Sequence, residues 1–355
     1  MKLSGSVYGV NDTPLELKMD DGPDSEDCVM PASLKPKYTQ LKLHIVKGEH
    51  LPKLDVKLIG EGTMDAFITA KIGGKTIRTD IKVTEHDEAT WNETLLIPVR
   101  MPIMSGKLIL NVMDLDKVKD EQAGALIFDY KDLISRPQKS FFWANIYGAP
   151  GQEEVKVFDS TADVSDEMNK DPSKATKWKG RILIGVEYFE SESPKLGVEP
   201  MSTTPPVDEE GNAIPNEPKS IVELAQESIK MTKFRVMYEF NSCLNTPKKL
   251  GKYNLQLAIA EEHWTSSSGD RDRAVGYNYN RWNQRPDNDI TFEMPYAEVE
   301  DIGDIFLYLC PDKAFGGLSG VFGGNEDGNK VGKPISYIKL KASDFMDPNP
   351  DLKWV

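Results

Sequence analysis

The residues best suited to chemistry in this chain are carboxylates set at the ends of apolar runs. Asp55 follows Leu51-Pro52-Lys53-Leu54, and Asp65 stands directly before Ala66-Phe67-Ile68. Asp114-Leu115-Asp116 closes the run Ile109–Met113, and Asp120 and Glu121 follow it before Gly124. If the runs are antiparallel neighbouring strands, these loops share one end of a sheet and the carboxylates converge. Two like charges ~4 Å apart repel by about 4 kcal/mol at an effective dielectric of about 20, so such a cluster calls for a cation. Calcium suits it, being a hard ion that takes roughly 6–8 oxygens from flexible loops. Zinc does not, because His44, His50 and His86 have no ligand spacing to any cysteine. The plainer reading is that these aspartates are ordinary turn formers.

The elements that must hold these loops read as strands. Leu41–Val46, Ala66–Ile72 and Lys107–Val112 alternate with period two, with Gly, Asp and Pro between them, and Arg181–Tyr188 closes the set. Many short strands at regular spacing predict an all-β antiparallel sandwich over 38–190. Residues 1–37 hold one short alternating stretch, Leu3–Val10, and an acidic connector, so they read as a strand remnant and linker. Residues 191–220 are rich in Ser, Thr, Pro, Glu and Asn and predict little regular structure. Within a linker spanning 191–230, Ser220 and Glu223 form a capping-box pattern for a helix over Ile221–Lys230. Strands return over 231–355, at Phe234–Phe240, Tyr253–Ala260, Ile290–Met294, Ile305–Leu309 and Ser336–Leu340, predicting a second, β-rich domain that folds separately.

Composition narrows the partners. The formal net charge of -14 lacks the basic field that nucleic acid requires. It also prevents adhesion to an anionic membrane by net charge alone. Three cysteines, Cys28, Cys243 and Cys310, fit neither a disulfide framework nor a zinc site. No run of ~18 apolar residues is present in the sequence.

Two further patches bear on a membrane. Leu58-Ile59, between Asp55 and Asp65, is a candidate membrane-inserting tip or else packs on its own domain. Lys71, Lys75 and Arg78, with Lys82 beyond Asp80, form a basic stretch for lipid head groups, at about 1 kcal/mol per charge, or a solvated face. The glycine-rich Gly316–Gly324 lacks the Gly-Lys-Ser/Thr ending of a phosphate loop and the frame of a nucleophile elbow about Ser319. With no catalytic constellation, the chain is not expected to be an enzyme.

The order of landmarks resembles a C2 domain: Asp55, then Asp65-Ala66-Phe67, Thr90-Trp91-Asn92-Glu93-Thr94, Met113-Asp114-Leu115-Asp116 and Gly124-Ala125. It resembles that of ferlins in particular. Phe142–Pro150 is similar to their Asn-Leu-Tyr-Gly-Ser-Pro stretch, and Trp178–Ile184 to the Gly-Arg-Leu-Leu strand after it. The region with Asp304–Leu309 and Ile338–Leu340 resembles the β-rich, C2-like segment that follows. The resemblance implies Ca2+ held by Asp55, Asp65, Asp114 and Asp116, with Asp120 or Glu121 in the last position. It implies peripheral binding to anionic phospholipid on the cytoplasmic side of membranes. It also implies a role in vesicle fusion, exocytosis or membrane repair, fusion-machinery proteins as partners, and a longer tail-anchored protein around this segment. The competing expectation is a calcium-independent C2 scaffold for protein–protein interaction. The chain departs from the family in a long first loop, Val56–Met64. Only Pro295–Gly303 stands where ferlins carry a helical bundle.

Overall fold

A computed structural model describes residues 37–54, 63–103, 106–116, 120–150, 162–208, 210–212, 214, 219–236, 240–244, 246, 253–266, 270–272, 279–284, 290–295, 302–311 and 334–345. The stretch Leu3–Val10 lies outside them, as do Asp55, Leu58 and Ile59.

The first region is an antiparallel sandwich. Its strands are β1 (Lys37–Glu49), β2 (Asp65–Ile72), β3 (Lys75–Arg78), β4 (Lys82–Val83), β5 (Ala89–Met101), β6 (Lys107–Asp114), β7 (Glu121–Asp129), β8 (Ser140–Gly148), β9 (Lys177–Glu190) and β10 (Gly197–Pro200), with helix α1 (Tyr130–Ser135) after β7 and helix α2 (Ala162–Lys170) after β8. They follow the order β10-β5-β1-β9-β8-β7-β6-β2-β3, with β4 also on β2. The path folds into two leaves, because β7 and β8 pair only at Ala125↔Tyr147. Gly124 sits at that hinge: a Cβ there would lie 2.6 Å from Ile146 Cγ2 and 2.8 Å from the Tyr147 carbonyl oxygen.

Period two decides which side chains fill the space between the leaves. Leu41, Leu43 and Ile45 of β1, with Ile182, Ile184 and Val186 of β9, meet Ala66, Ile68 and Ala70 of β2 and Leu108, Leu110 and Val112 of β6. Each is at most 3% exposed. Strand β8 is apolar on both faces. Phe142, Ala144 and Ile146 join the core, while Phe141 and Trp143 turn outward against helix α3 (Ile221–Glu227). That covering is why Ser140–Gly148 reads as a continuous apolar run.

Helix α3 starts as its sequence dictates. Ser220 Oγ accepts the Glu223 N–H at 3.2 Å, and Glu223 Oε2 accepts the Ser220 N–H at 2.9 Å. It stops at Glu227, before the expected Lys230. Within the stretch 191–220 the described residues carry one four-residue strand, β10. Strand β10 pairs with β5 from Gly197↔Leu96 to Pro200↔Glu93. Gln40 of β1 exchanges hydrogen bonds with the Lys195 backbone at 3.1 and 2.6 Å. Backbone pairing with an open sheet edge supplies order that the polar side chains do not signal.

The second region is also antiparallel: β11 (Met231–Val236) with β17 (Ile290–Pro295); β12 (Phe240–Leu244), β16 (Tyr279–Gln284) and β15 (Asp270–Asp272); and the sheet of β14 (Glu262–Thr265), β13 (Tyr253–Ile259), β18 (Asp304–Pro311) and β19 (Ser336–Lys341). It packs against the sandwich. Tyr147, Ala175 and Phe306 share one buried cluster, and Trp178 joins another with Phe292 and Ile302. The Tyr147 hydroxyl accepts the Asp304 N–H at 2.7 Å, and Tyr308 Oη donates to the Thr176 carbonyl at 2.8 Å. Gly303 (φ 81°) makes the approach possible, since a Cβ there would lie 2.8 Å from the Tyr147 hydroxyl. Burial, above all, pushes the Tyr147 phenol up, so it stays neutral.

Candidate acidic metal and membrane site

Five of the six expected carboxylates fall on described residues, and all five lie at one end of the β7-β6-β2 leaf. The register pairs Ala66 with Asp114 and Asp114 with Glu121. Asp65 therefore opens β2 beside the close of β6, and Asp116 and Asp120 stand between β6 and β7. The Asp65 N–H donates to Asp114 Oδ1 at 2.8 Å, and the Leu115 N–H donates to the Asp65 carbonyl at 3.0 Å. Asp114 is 2% exposed, whereas Asp116 and Glu121 are exposed and Asp65 and Asp120 half-buried.

The donors are hard carboxylate oxygens, which fits calcium rather than zinc. Among the described residues, however, no group of three or more His, Cys, Asp or Glu side chains is close enough to hold a metal. Asp55, the sixth expected ligand, lies outside the described residues.

Two apolar residues flank this end that the sequence patterns did not single out. Val83 pairs with Asp65 and is 60% exposed. Leu115 lies on the other side, between Asp114 and Asp116, and is 38% exposed. The available signal was Leu115 itself, an apolar residue enclosed by two carboxylates.

A hydrogen-bonded frame braces the end from behind. Gln122 Nε2 donates to Asn111 Oδ1 at 3.0 Å and to the Asn169 carbonyl of helix α2 (Ala162–Lys170) at 2.9 Å. Asn169 Oδ1 accepts the Ala149 N–H at 2.7 Å. Thr84 and Met64 exchange bonds that hold the entry to β2: Thr84 Oγ1 accepts the Met64 N–H at 2.8 Å, and the Thr84 N–H donates to the Met64 carbonyl at 2.8 Å.

The motif Trp91-Asn92-Glu93 is structural. Trp91 is in the core, and Asn92 has a left-handed backbone (φ 51°) at the point where the β1–β5 register shifts. Glu93 Oε2 accepts the Asp80 N–H at 2.9 Å. Burial, more than any other influence, pushes the Glu93 carboxyl above the usual carboxylate range.

The basic stretch divides between two faces. Lys71 and Arg78 lie on the outer face of the leaf, where Arg78 stacks over Phe67 at 5.2 Å. Lys75 pairs with Ile72 on the inner side, and its Nζ donates to the Pro98 carbonyl of β5 at 2.6 Å. Period two separates neighbours that the linear sequence groups together.

A second cluster of charge lies where the two regions meet. Arg181, 6% exposed, donates through Nε and Nη2 to Glu49 Oε2 at 3.1 and 2.9 Å. Its Nη1 stands 3.8 Å from Glu261 Oε1 in the β13–β14 turn, and His50 Nε2 lies 3.6 Å from that same oxygen. Burial works to raise the Glu49 carboxyl, but its bonds to Lys47 and Arg181 outweigh it and hold the group below its usual range.

The family model for the C2 domain matches residues 39–145. Mouse myoferlin is 24% identical over 237 residues, covering 57% of this chain and 11% of that protein. Ferlin 2 of Tetrahymena thermophila is 28% identical over 183 residues, covering 48% of this chain and 10% of that protein. The chain thus spans about a tenth of the length of these curated relatives. Among solved structures, the calcium-bound pair of C2 domains of Extended-Synaptotagmin 2 matches at 13% identity with a TM-score of 0.31, covering 88% of this chain and 86% of that one.

Proposed function

We propose that this chain, which carries a C2 domain at residues 39–145 and is ferlin-like in sequence over about half its length, is a calcium-dependent, phospholipid-binding membrane module. Its setting is a ferlin-like protein acting in vesicle fusion, exocytosis or membrane repair, peripheral to the cytoplasmic side of the membrane and alongside fusion-machinery proteins. The proposal takes 38–190 as the C2 unit and 231–355 as a second β unit joined to it by 191–230. No helix of the described residues is long and apolar enough to cross a membrane. The named relatives are ferlins and no catalytic family is indicated, so the role is binding rather than catalysis.

The observation that supports this reading is the placement of Asp65, Asp114 and Asp116, with exposed Val83 and Leu115, at one end of the sandwich. Without a cation the carboxylates repel anionic lipid. Calcium supplies the positive charge that the net composition lacks and bridges to phosphate oxygens. Val83 and Leu115 then enter the interface, each gaining about 1.5–3 kcal/mol if fully buried. That is modest, so stable attachment draws on further modules of a longer protein.

One observation favours the calcium-independent scaffold. Asp114 is buried and accepts a main-chain N–H, as a structural aspartate would. Thermal melts and cosedimentation with phosphatidylserine vesicles, each with calcium and with chelator, separate the two. A calcium-dependent rise in Tm and in vesicle binding supports the membrane module. Absence of both establishes the scaffold.

A further inference from the structure

A cleft of about 360 Å³ opens where β7 and β8 part after their single backbone pair. The cavity is more than twice the volume of one of about 150 Å³ that is known to take up benzene. One wall is apolar, from Leu126, Phe128, Phe142 and Ala144, with the two phenyl rings edge to face at 6.1 Å. The docked second region closes the other wall with Gly303 and Ala342. Two cations line the cleft. The Arg136 guanidinium lies 3.7 Å from the centre of the Phe142 ring, and Lys341 stands on the opposing β19. Among the described lining residues the one carboxylate, Asp304, is paired with Lys339 Nζ at 2.9 Å. Among the described lining residues, cations outnumber carboxylates, in a chain that is strongly acidic overall.

Apolar walls with a few convergent charges are the ordinary make-up of a small-molecule site. We propose that this cleft binds a free anionic amphiphile, its alkyl chain against Leu126, Phe128 and Phe142 and its carboxylate or phosphate head between Arg136 and Lys341. The site is separate from the acidic end. At about 3.4 Å per residue, Phe128 is roughly 24 Å along β7 from Glu121. Binding therefore requires no calcium. The second region supplies part of the lining, so an occupant also ties the two regions together.

Decanoate and decyl phosphate, below their micelle-forming concentrations and in chelator, test the proposal, with decanol as the uncharged control. Both anions are expected to raise Tm and to bind saturably by calorimetry, and decanol to bind at least fivefold more weakly. Arg136→Gln and Lys341→Gln should each weaken decanoate by about fivefold, equivalent to about 1 kcal/mol, with the ligand-free Tm unchanged in Lys341→Gln and slightly lowered in Arg136→Gln, which loses its stacking on Phe142. Lost decanoate binding in the double variant, with calcium-dependent vesicle binding retained, supports a site for a free amphiphile. Unchanged decanoate binding in the double variant, equal binding of decanol, or joint loss of decanoate and vesicle binding overturns it.

Discussion

Asp65 and Asp114, 49 positions apart in sequence, are joined directly: the main-chain N–H of the first donates to Oδ1 of the second at 2.8 Å. The bond fixes one carboxylate oxygen and the start of β2 against the end of β6. Any cation at this end meets a carboxylate whose orientation is already set.

Asp114→Asn tests that arrangement. In the calcium-binding reading, calcium at about 100 times its Kd stabilises the wild-type fold by ~2.7 kcal/mol. The amide keeps an oxygen for the Asp65 N–H but lowers the site's charge. The calcium-induced rise in Tm should largely vanish, and phosphatidylserine vesicle binding should fall with it, while the calcium-free Tm stays level or rises slightly.

Leu115→Ser together with Val83→Ser tests the apolar flank. Both residues are exposed, so the calcium-free Tm should change little. Calcium-dependent vesicle binding should drop by about tenfold or more, from lost insertion energy of ~1.5–3 kcal/mol per residue at most. The calcium-induced rise in Tm without membranes should persist. Equal loss of both signals would place these residues in the metal site rather than at the membrane.

Two half-buried carboxylates set the acid limb of stability. Glu49 and Glu187 are each pushed upward most by burial. Bonds to Lys47 and Arg181 for Glu49, and to His44 for Glu187, outweigh it and hold both below the ordinary 4.5. The stability they contribute is complete above that value and is lost as pH falls through their lower folded values. Melts from pH 6 down to pH 3 should therefore fall less steeply for Glu49→Gln or Glu187→Gln than for wild type. Glu93 acts in the opposite sense: its raised carboxyl favours the folded state when protonated, a contribution lost as pH rises through its folded value.

Ser220→Ala should lower stability by about 1 kcal/mol, because it removes the side-chain half of the capping box at α3. The readout is the chemical-denaturation midpoint, and Ser220→Thr should restore most of the loss.

Tyr147→Phe should loosen the docking of the two regions. It leaves the Asp304 N–H without its acceptor, at about 1–3 kcal/mol. Limited proteolysis should cut faster between the regions, with the core of the first region unaffected. Unaltered cleavage would mean that the apolar cluster of Ala175, Phe306 and Trp178 holds the joint by itself.

Much of this was legible in the sequence wherever local patterns act alone. The strands around Leu41–Val46 and Ala66–Ile72 follow from alternation, and the start of α3 from Ser220 and Glu223. The placement of Asp65, Asp114 and Asp116 at one end of the leaf followed from assuming antiparallel neighbours, but their side chains do not gather there into a group close enough to hold a metal. What was not legible depends on partners distant in sequence. Strand β10 forms because β5 offers it an edge, which no property of Gly197–Pro200 announces. Lys75 leaves the basic patch because its strand parity turns it toward Pro98. Val83 and Leu115 stand out only once register places both beside Asp65. Arg181 looked like one more charge in a closing strand. Its link to Glu49 follows from the β1–β9 register, and its approach to Glu261 needs the second region in place.

Strand β10 carries a consequence for how the first region can be handled in isolation. The strand pattern alone suggests a natural end after Glu190. A chain cut there would lose the pairing from Gly197↔Leu96 to Pro200↔Glu93 and bare the backbone of β5 beside Leu95 and Leu96. An uncovered strand of that kind is a template for association with a second copy. Residues 197–200 thus serve as a built-in guard against self-aggregation, and a soluble, monomeric form of the sandwich has to extend at least to Met201.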